Sequence, residues 1–323
     1  MQYRRLGRSG LQLSALSFGA WVNFGRSVGR GQARELLAMA WDQGVTFFDN
    51  AEGYGHGEAE RIMGDALADL RLPRDGWCVS SKVFFGSTAQ PRPTQRGLSR
   101  KHVVEACHGA LRRLRVEHLD LYFCHRPDPE TPVAETVAAM DLLVRQGKVL
   151  YWGTSEWPAT LIREAAAFAA ANHLAAPVME QPQYNLFARE RVEVEYAALY
   201  DDLGLGTTTW SPLASGLLSG RYNHGSGSDG RLRSDDFRWL DSHVDSASGN
   251  ARLAAVERFT PIADELGCTA AQLAIAWCLG NRHVSSVILG ASTPAQLREN
   301  LGALDVAQRL DEDGRARIAA VFD

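Results

Sequence analysis

Four side chains of types that transfer protons stand at the ends of short apolar runs or just beyond them: Asp49, Tyr54, Lys82 and His125. A lysine is seldom buried without a partner, so Asp49 is the expected carboxylate for Lys82. A positive charge beside Tyr54 favours the phenolate and would lower the pKa of this tyrosine from about 10. A shift of about three units needs roughly 4 kcal/mol of differential stabilisation. The set predicts that Tyr54 is a general acid near neutral pH, with His125 placed to orient or polarise a carbonyl oxygen.

Each of these residues has a commoner structural role when taken alone, so the interpretation depends on the four together. A second combination of side chains would suit a metal-dependent barrel hydrolase: Asp49, Glu52, His56 and Glu58. No H-x-H pair or other recognised ligand spacing supports it. The sequence therefore predicts proton transfer without a metal site.

The elements that must position these residues alternate along the chain, with short β-type runs between longer helical patterns. Eight strands are predicted: Ala15–Phe18, Thr46–Phe48, Trp77–Ser81, Leu119–Cys124, Val149–Trp152, Val178–Glu180, Gly206–Thr209 and Val284–Leu289. The segments Ala33–Gln43 and Val103–Leu114 carry apolar residues at helical spacing, and Ser99 is the expected N-cap of the second. Strands separated by helices predict a parallel sheet, because each parallel strand needs a crossover connection.

Two observations favour a closed (β/α)8 TIM barrel over a doubly wound sheet. No G-x-G-x-x-G motif follows the first strand, as a dinucleotide-binding doubly wound fold would need. Polar residues also cluster where strands end, as at the mouth of a barrel: Asp49, Lys82, His125, Ser155, Gln181 and Ser211. We predict a single domain over residues 1–323. It begins with a β-hairpin of Tyr3–Leu6 and Leu11–Ser14 and continues as the barrel.

A long segment rich in glycine, serine, aspartate and arginine, Ser215–Asn250, follows the seventh predicted strand. Loops of this length in compact domains are commonly lids or disordered segments. Arg221, Arg231 and Arg233 would suit a lid that clamps phosphate groups. An exposed variable loop explains the same composition, and the two readings stay open.

Composition excludes several classes of protein. The chain has 323 residues and a formal net charge of −4, which argues against nucleic-acid binding. Its longest apolar runs, such as Leu273–Leu279, are far shorter than the roughly 18 residues of a membrane span.

Five cysteines without C-x-x-C spacing predict reduced thiols and a cytoplasmic location. The first acidic residue is Glu35, so an organelle transit peptide stays open as the alternative.

Six stretches agree in order and spacing with one protein family: FDNAEGY at 48–54, GLSRKH at 97–102, HRPD at 125–128, YWGTSEW at 151–157, WSPLASG at 210–216 and LAIAWC at 273–278. On these stretches the chain resembles the aldo-keto reductases along nearly its whole length. The similar branch contains the β subunits of voltage-gated potassium channels and their plant and bacterial relatives. The resemblance implies a catalytic tetrad of Asp49, Tyr54, Lys82 and His125. Tyr54 would give its proton to the carbonyl oxygen while hydride passes from the nicotinamide of NADPH to the carbonyl carbon.

The resemblance also implies an NADP(H) site and a substrate pocket. The cofactor residues would be Gly19, Trp21, Asp49, Ser155, Gln181, Trp210, Ser211, Pro212, Leu213, Ser215, Arg221, Arg231, Gly290, Ser292, Gln296, Glu299 and Asn300. The substrate residues would be Trp21, Tyr54, Phe84, His125 and Trp157. The aromatic residues among them, with Phe24 and Phe85, would form an apolar mouth, and the alternative that some of them pack under loops stays open. Gly290 and Ala291 stand where many monomeric reductases have lysine and serine, which weakens the argument for NADPH over NADH.

Two functions from different classes of protein remain. The first is an NADPH-dependent reductase of aldehydes or ketones. The second is a slow-turnover, nucleotide-binding subunit that senses redox state. His125 stands where the animal channel subunits usually have asparagine, which favours the enzyme, and Glu156 stands where they have arginine. The resemblance further implies a homo-oligomer, with a tetramer expected.

Overall fold

A closed barrel of eight parallel strands is the centre of the computed structural model, which describes residues 1–21, 23–223 and 246–323. An antiparallel hairpin precedes the barrel and consists of β1 (Tyr3–Arg5) and β2 (Gln12–Ser14). The barrel strands are β3 (Leu16–Gly19), β4 (Phe47–Asp49), β5 (Cys78–Val83), β6 (Leu119–Cys124), β7 (Val149–Thr154), β8 (Met179–Glu180), β9 (Gly206–Thr209) and β10 (Val284–Leu289). Because β10 pairs with β3, the sheet closes. The predicted (β/α)8 barrel and its N-terminal hairpin are confirmed.

Helices connect the strands and cover the outside of the barrel. They are α1 (Arg30–Asp42), α2 (Glu58–Leu70), α3 (Arg100–Leu114), α4 (Val133–Arg145), α5 (Ala159–Ala171), α6 (Ala197–Asp202), α7 (Ala247–Glu265), α8 (Ala270–Leu279), α9 (Pro294–Leu301), α10 (Ala303–Arg309) and α11 (Glu312–Phe322). Ser99 caps α3 as expected, since its side chain accepts a hydrogen bond from the His102 N–H. The first helix begins at Arg30, three residues before its predicted start, because its exposed first turn contributes nothing to the apolar pattern.

The ends of two strands differ from the prediction in a way that matters for the site. Asp49 and Lys82 were expected just beyond their strands, but β4 includes Asp49 and β5 runs on to Val83. Asp49 is in register with Gly19 of β3, and Lys82 with Phe123 of β6. Pairing with neighbouring parallel strands extends both segments past the apolar run. Both charged residues therefore have backbones fixed by the barrel.

The interior of the barrel changes from apolar to polar along the strands. A cluster of apolar side chains fills its lower part and contacts the hairpin: Leu6, Leu13, Phe47, Leu121, Phe123, Met179 and Ile288. Residues two apart on a strand share a face, so Asp49 follows Phe47 on the inside and His125 follows Phe123. The hairpin thus closes the N-terminal end of the barrel, and the polar groups lie at the C-terminal end.

The long segment after β9 is only partly described. A 3-10 segment covers Ala214–Ser219, and α7 begins at Ala247. The predicted lid residues Arg231 and Arg233 lie outside the described residues. Within the described ranges, no single helix is long and apolar enough to cross a membrane, although the bent pair 248–265 and 270–279 meets the length and composition criteria together. All five cysteines are free thiols.

Candidate active site

A cavity of about 510 Å³ opens at the C-terminal ends of the barrel strands. Ligand sites of small molecules are typically clefts of about 300–1,000 Å³, and those of TIM barrels lie at this end. Asp49, Tyr54 and His125 line the cavity. Lys82 lies beneath them without solvent exposure. The structure therefore brings together the four residues that the sequence indicated.

The Lys82 ammonium uses its three N–H donors on three acceptors. Its Nζ lies 2.6 Å from Asp49 Oδ2, 2.8 Å from the Asn50 carbonyl oxygen and 3.2 Å from Tyr54 Oη. An ammonium has three donors and no acceptor. The Tyr54 oxygen must therefore accept from Lys82, and its own proton is left to donate to another group.

Asp49 is held by donors from β5 and from the residue that follows β8. Besides Lys82, the Ser80 hydroxyl donates to Asp49 Oδ1 at 2.7 Å and the Gln181 amide donates to the same oxygen at 3.1 Å. A second bond of Gln181 reaches Thr208 Oγ1 at 3.2 Å. The buried carboxylate is thus fixed in place, as a buried charge requires.

The pKa of Tyr54 shifts in the direction opposite to the sequence-based prediction. Burial, followed by the Asp49 charge, raises the pKa of Tyr54 well above 10, and the Arg126 charge only partly opposes this. The prediction of a lowered pKa considered the lysine charge without its partner. Asp49 lies against Lys82, so little net positive charge reaches the phenol, while burial penalises the phenolate. Tyr54 consequently keeps its proton throughout the neutral pH range.

His125 is a neutral imidazole beside the tyrosine. Burial, with the charges of Lys82 and Arg126, lowers the pKa of His125 well below 6.5. Its ring stands edge-on to Tyr54 with centroids 5.8 Å apart, and Phe85 packs edge-on at 5.1 Å. The buried Nδ1 atom has no hydrogen-bond partner within the described part of the chain. A neutral imidazole has one donor and one acceptor nitrogen, which suits contact with an uncharged carbonyl group.

The predicted cofactor residues that are described all line this cavity: Gly19, Trp21, Asp49, Ser155, Gln181, Trp210, Ser211, Pro212, Leu213, Ser215, Arg221, Gly290, Ser292, Gln296, Glu299 and Asn300. Arg231 lies outside the described residues. The Ser155 hydroxyl donates to the Gln181 carbonyl oxygen at 2.8 Å, which ties the ends of β7 and β8 together. These residues thus form one continuous wall from the tetrad to α9.

The turn after β9 has an unusual backbone. Ser211, Ala214 and Ser215 have φ values of 57°, 47° and 60°, and Gly216 has 96°. Non-glycine residues with positive φ are uncommon and cluster at functional sites. The N–H groups of Ala214, Ser215 and Gly216 donate within the turn and hold its shape. Because Arg221 lines the same part of the cavity, a phosphate group here would meet a positive charge.

The far end of the cavity is the N-terminus of α9. Thr293 caps this helix through Gln296 N at 3.2 Å, and the Gln296 side chain accepts from Ser292 N and Oγ at 2.9 Å each. Asn300 Nδ2 donates to the Gly290 carbonyl oxygen at 3.3 Å. Pro294 has no N–H and Thr293 takes the N–H of Gln296, so this helix end favours negative charge mainly through its dipole. Residues 290–300 therefore offer a second position for phosphate.

Two predicted substrate residues do not reach the cavity. Trp21, Tyr54 and His125 line it together with Phe85, whereas Phe84 and Trp157 do not. Trp157 is 2% exposed, because the chain turns at Glu156 (φ 59°) and directs the following indole into the core. Phe84 packs on the core side of Phe85 with ring centroids 5.0 Å apart. Phe24, expected at the mouth, is buried as well.

Glu156 fixes one wall of the cavity. The Trp210 indole N–H donates to Glu156 Oε1 at 3.0 Å, and Arg191 pairs with Glu156 Oε2 at 2.5 Å. Trp210 in turn packs edge-on against Trp21 at 5.6 Å. The acidic residue at this position thus orients the indole in the wall of the cavity.

Sequence reasoning missed Arg126 and Asn23, which also line the cavity. Arg126 follows His125 directly, so its place at a strand end was a usable signal. Its Nη1 donates to the His125 carbonyl oxygen and lies 3.4 Å from Ser155 Oγ. Among the described residues, no group of three or more histidine, cysteine, aspartate or glutamate side chains could hold a metal ion.

Comparison with known proteins agrees with this geometry. The sequence model of the aldo/keto reductase family matches residues 15–323. A protein of Arabidopsis thaliana named probable voltage-gated potassium channel subunit beta is 49% identical over 309 residues, which is 95% of this chain and 92% of that protein. A protein of Oryza sativa subsp. japonica with the same name is 48% identical over 322 residues, or 99% of this chain and 96% of that protein.

Proposed function

The chain belongs to the aldo/keto reductase family, whose fold and oxidoreductase chemistry it shares, and from this premise we propose that it is an NADPH-dependent reductase of aldehydes or ketones. The observation that carries the proposal is the saturated Lys82 ammonium. Its three bonds leave the Tyr54 proton available to a substrate oxygen in the cavity. Tyr54 is then the general acid of the reaction.

In the proposed mechanism, the carbonyl oxygen accepts a hydrogen bond from Tyr54 beside the neutral His125. As negative charge develops on this oxygen, Tyr54 transfers its proton to it, and the tyrosine is left as a phenolate. The Lys82 ammonium, 3.2 Å from Oη, stabilises that charge at the moment it forms. Asp49 keeps Lys82 in position throughout. The alcohol product leaves, and Tyr54 is protonated again from solvent.

A nicotinamide dinucleotide bound in the cavity would supply the hydride. The residues present fit this group: Ser155 and Gln181 offer polar atoms near the tetrad, and Trp210 offers an aromatic face. Arg221, beside the turn at 211–216, would hold the pyrophosphate, and residues 290–300 the adenosine half. The choice of NADPH over NADH rests on membership of the aldo/keto reductase family, because both dinucleotides carry the pyrophosphate.

Arg126 favours substrates that carry an anionic group. Its charge acts on Tyr54, Lys82 and His125 alike, so the guanidinium lies close to the reacting centre. It packs 5.9 Å from the Phe85 ring at the mouth and forms no ion pair with a carboxylate in the described part of the chain. A carboxylate or phosphate on the substrate would provide the missing counter-charge. We infer aldehydes with an aromatic or apolar body and an acidic substituent.

The names of the two plant relatives favour a second candidate, a nucleotide-binding regulatory subunit with slow turnover. Such a protein would bind NADPH tightly and turn over little. The complete tetrad, including the neutral His125, favours the enzyme.

Decrease of NADPH absorbance with a panel of aldehydes, ketones and quinones tests the proposal. Steady turnover that is lost in Tyr54→Phe supports the reductase. A single stoichiometric oxidation without further turnover would favour the regulatory subunit. Absence of both, with NADPH bound, would contradict the reductase.

A further inference from the structure

A second cavity, which we call the basal cavity, lies at the opposite end of the barrel from the tetrad. It has a volume of about 760 Å³ and lies between the N-terminal hairpin and the starts of β9 and β10. Arg4, Leu205 and Val284 are among its lining residues. Val284 is the first residue of β10, whereas Leu289 at the last position of that strand lines the active-site cavity. The two cavities are therefore separated by the length of the barrel.

The basal cavity concentrates positive charge in a chain whose net charge is −4. Four arginines line it: Arg4, which is half-buried, and Arg5, Arg8 and Arg282, which are exposed. No aspartate or glutamate is among the lining residues that the structure describes. In the described part of the chain, none of the four forms an ion pair with a carboxylate. Arg4 donates to the Val284 carbonyl oxygen at 3.0 Å and Arg8 to that of Asp201, so those two bond neutral groups only.

Arg4 is partly removed from water without a counter-charge. Burial lowers the pKa of its guanidinium, and no nearby carboxylate opposes that effect. A charged group that is removed from water costs free energy unless it is paired. Groups of opposite charge that enter this cavity would reduce the cost.

The rest of the lining is suited to hydrogen bonding. His283 stacks on Tyr200 with ring centroids 4.0 Å apart and accepts from Arg282 Nε at 3.1 Å. Burial, with the Arg282 charge, lowers the pKa of His283, and the Asp201 charge only partly opposes this, so the ring is neutral near pH 7. Gln2, Gln308 and Ser285 supply further polar side chains. The cavity thus offers hydrogen-bonding side chains besides its arginines.

From this charge, shape and lack of counter-ions, we propose that the basal cavity binds a ligand with two or more phosphate groups. Guanidinium groups pair with phosphate oxygens through two parallel hydrogen bonds, and four of them in one cavity match several phosphates. The volume exceeds that of a single phosphate ion. The ligand would join Arg4, Arg5 and Arg8 of the hairpin region to Arg282 of the barrel. Binding would hold the hairpin on the barrel and stabilise the fold.

Isothermal titration of the full chain with inorganic pyrophosphate and tripolyphosphate tests the site. The protein is first saturated with NADPH, so that the dinucleotide cavity is filled, and ionic strength is kept constant. The decisive variant is Arg5→Gln/Arg282→Gln, since neither side chain donates a hydrogen bond to a backbone carbonyl. The matched control is Arg96→Gln/Arg112→Gln, which removes the same charge from two exposed positions elsewhere.

We expect saturable binding to the wild type that the Arg5→Gln/Arg282→Gln variant weakens about tenfold or more, because charge-assisted hydrogen bonds are lost. The control should bind like the wild type, and tripolyphosphate should raise the Tm of both. Neither double variant should change carbonyl turnover, so the result is independent of the proposed reductase activity. Equal weakening in the control, or no binding of either probe, would overturn the proposal.

A second arm identifies the source of the phosphates. The same proteins are sedimented with phosphatidylcholine vesicles that contain phosphatidylinositol bisphosphate, and with vesicles that lack it. Vesicle binding that depends on Arg5 and Arg282 would assign the site to a lipid headgroup. Binding of the inorganic probes alone would assign it to a dissolved ligand.

Discussion

Lys82 donates a hydrogen bond to the Tyr54 hydroxyl oxygen at 3.2 Å from a position with no solvent exposure. The same ammonium is neutralised by Asp49 at 2.6 Å, so the pair orients the phenol without making it strongly acidic. Tyr54 therefore donates its proton only when negative charge develops on the substrate oxygen. The Lys82 ammonium stabilises the phenolate that this transfer leaves behind.

Tyr54→Phe should lower kcat for carbonyl reduction by about 10²–10⁴-fold, the usual contribution of general acid catalysis. NADPH binding should persist, because the phenyl ring keeps its packing. Stopped-flow rates and fluorescence titration of NADPH measure the two effects. Near-normal turnover would show that another group donates the proton.

The rate of reduction should stay level through neutral pH and fall in the alkaline range. Burial lowers the pKa of Lys82 from its usual value, and the mechanism needs this side chain as an ammonium. Tyr54 must be protonated to act, and its pKa is raised well above the usual value. His125 should produce no change near pH 6.5, since its pKa is lowered well below that value. A pH profile of kcat/KM measures both. A decline centred near pH 7 would contradict the raised pKa of Tyr54 and the lowered pKa of His125.

Lys82→Met should lower the free energy of unfolding by about 3–5 kcal/mol, because it leaves Asp49 buried without its counter-charge. Lys82→Met/Asp49→Leu should recover part of that loss, since the unpaired charge is gone. Urea unfolding of the wild type, of Lys82→Met, of Asp49→Leu and of the double variant compares these values. A double variant less stable by the sum of the two single losses would contradict the coupling.

Stability should decrease as pH rises towards about 8, owing to Glu180. Burial raises the pKa of this carboxyl from 4.5 to about 8, so between these values the folded chain holds a proton that the unfolded chain has released. The stability that the neutral carboxyl contributes is therefore fully present below pH 4.5 and is lost as the pH rises through about 8. Glu180→Gln should flatten this dependence. Urea unfolding across pH 5 to 9, relative to the wild type, is the measurement.

Arg126→Leu should discriminate between substrates. With 2-carboxybenzaldehyde, kcat/KM should fall about 10- to 100-fold, as expected for loss of a charge-assisted contact. Benzaldehyde, which has no acidic group, is the matched control and should change far less. Equal losses for both would show that Arg126 acts on the tetrad and does not select anionic substrates.

Assembly is a separate prediction that rests on resemblance to ring-forming relatives. Each chain weighs 35.4 kDa, and we expect a homo-tetramer of four times this mass. Light scattering after size-exclusion chromatography measures it. A monomer at micromolar concentration would contradict the tetramer and leave the reductase proposal intact.

The sequence alone determined the architecture and the positions of the tetrad. Periodicity and strand spacing predicted eight strands, three of them with the bounds later observed: Leu119–Cys124, Gly206–Thr209 and Val284–Leu289. These features are local, so short windows of sequence carry them. Polar residues at strand ends then predicted the cavity, because parallel strands bring those ends together.

Only the tertiary structure decided the electrostatics and the directions of several side chains. The pKa of Tyr54 depends on burial and on the distance between Lys82 and Asp49, which no local pattern encodes. Trp157 turns into the core because of the backbone angle at Glu156. The basal cavity joins residues 2–8, 200–205, 279–285 and 307–308, so its charge is visible only after distant segments have packed.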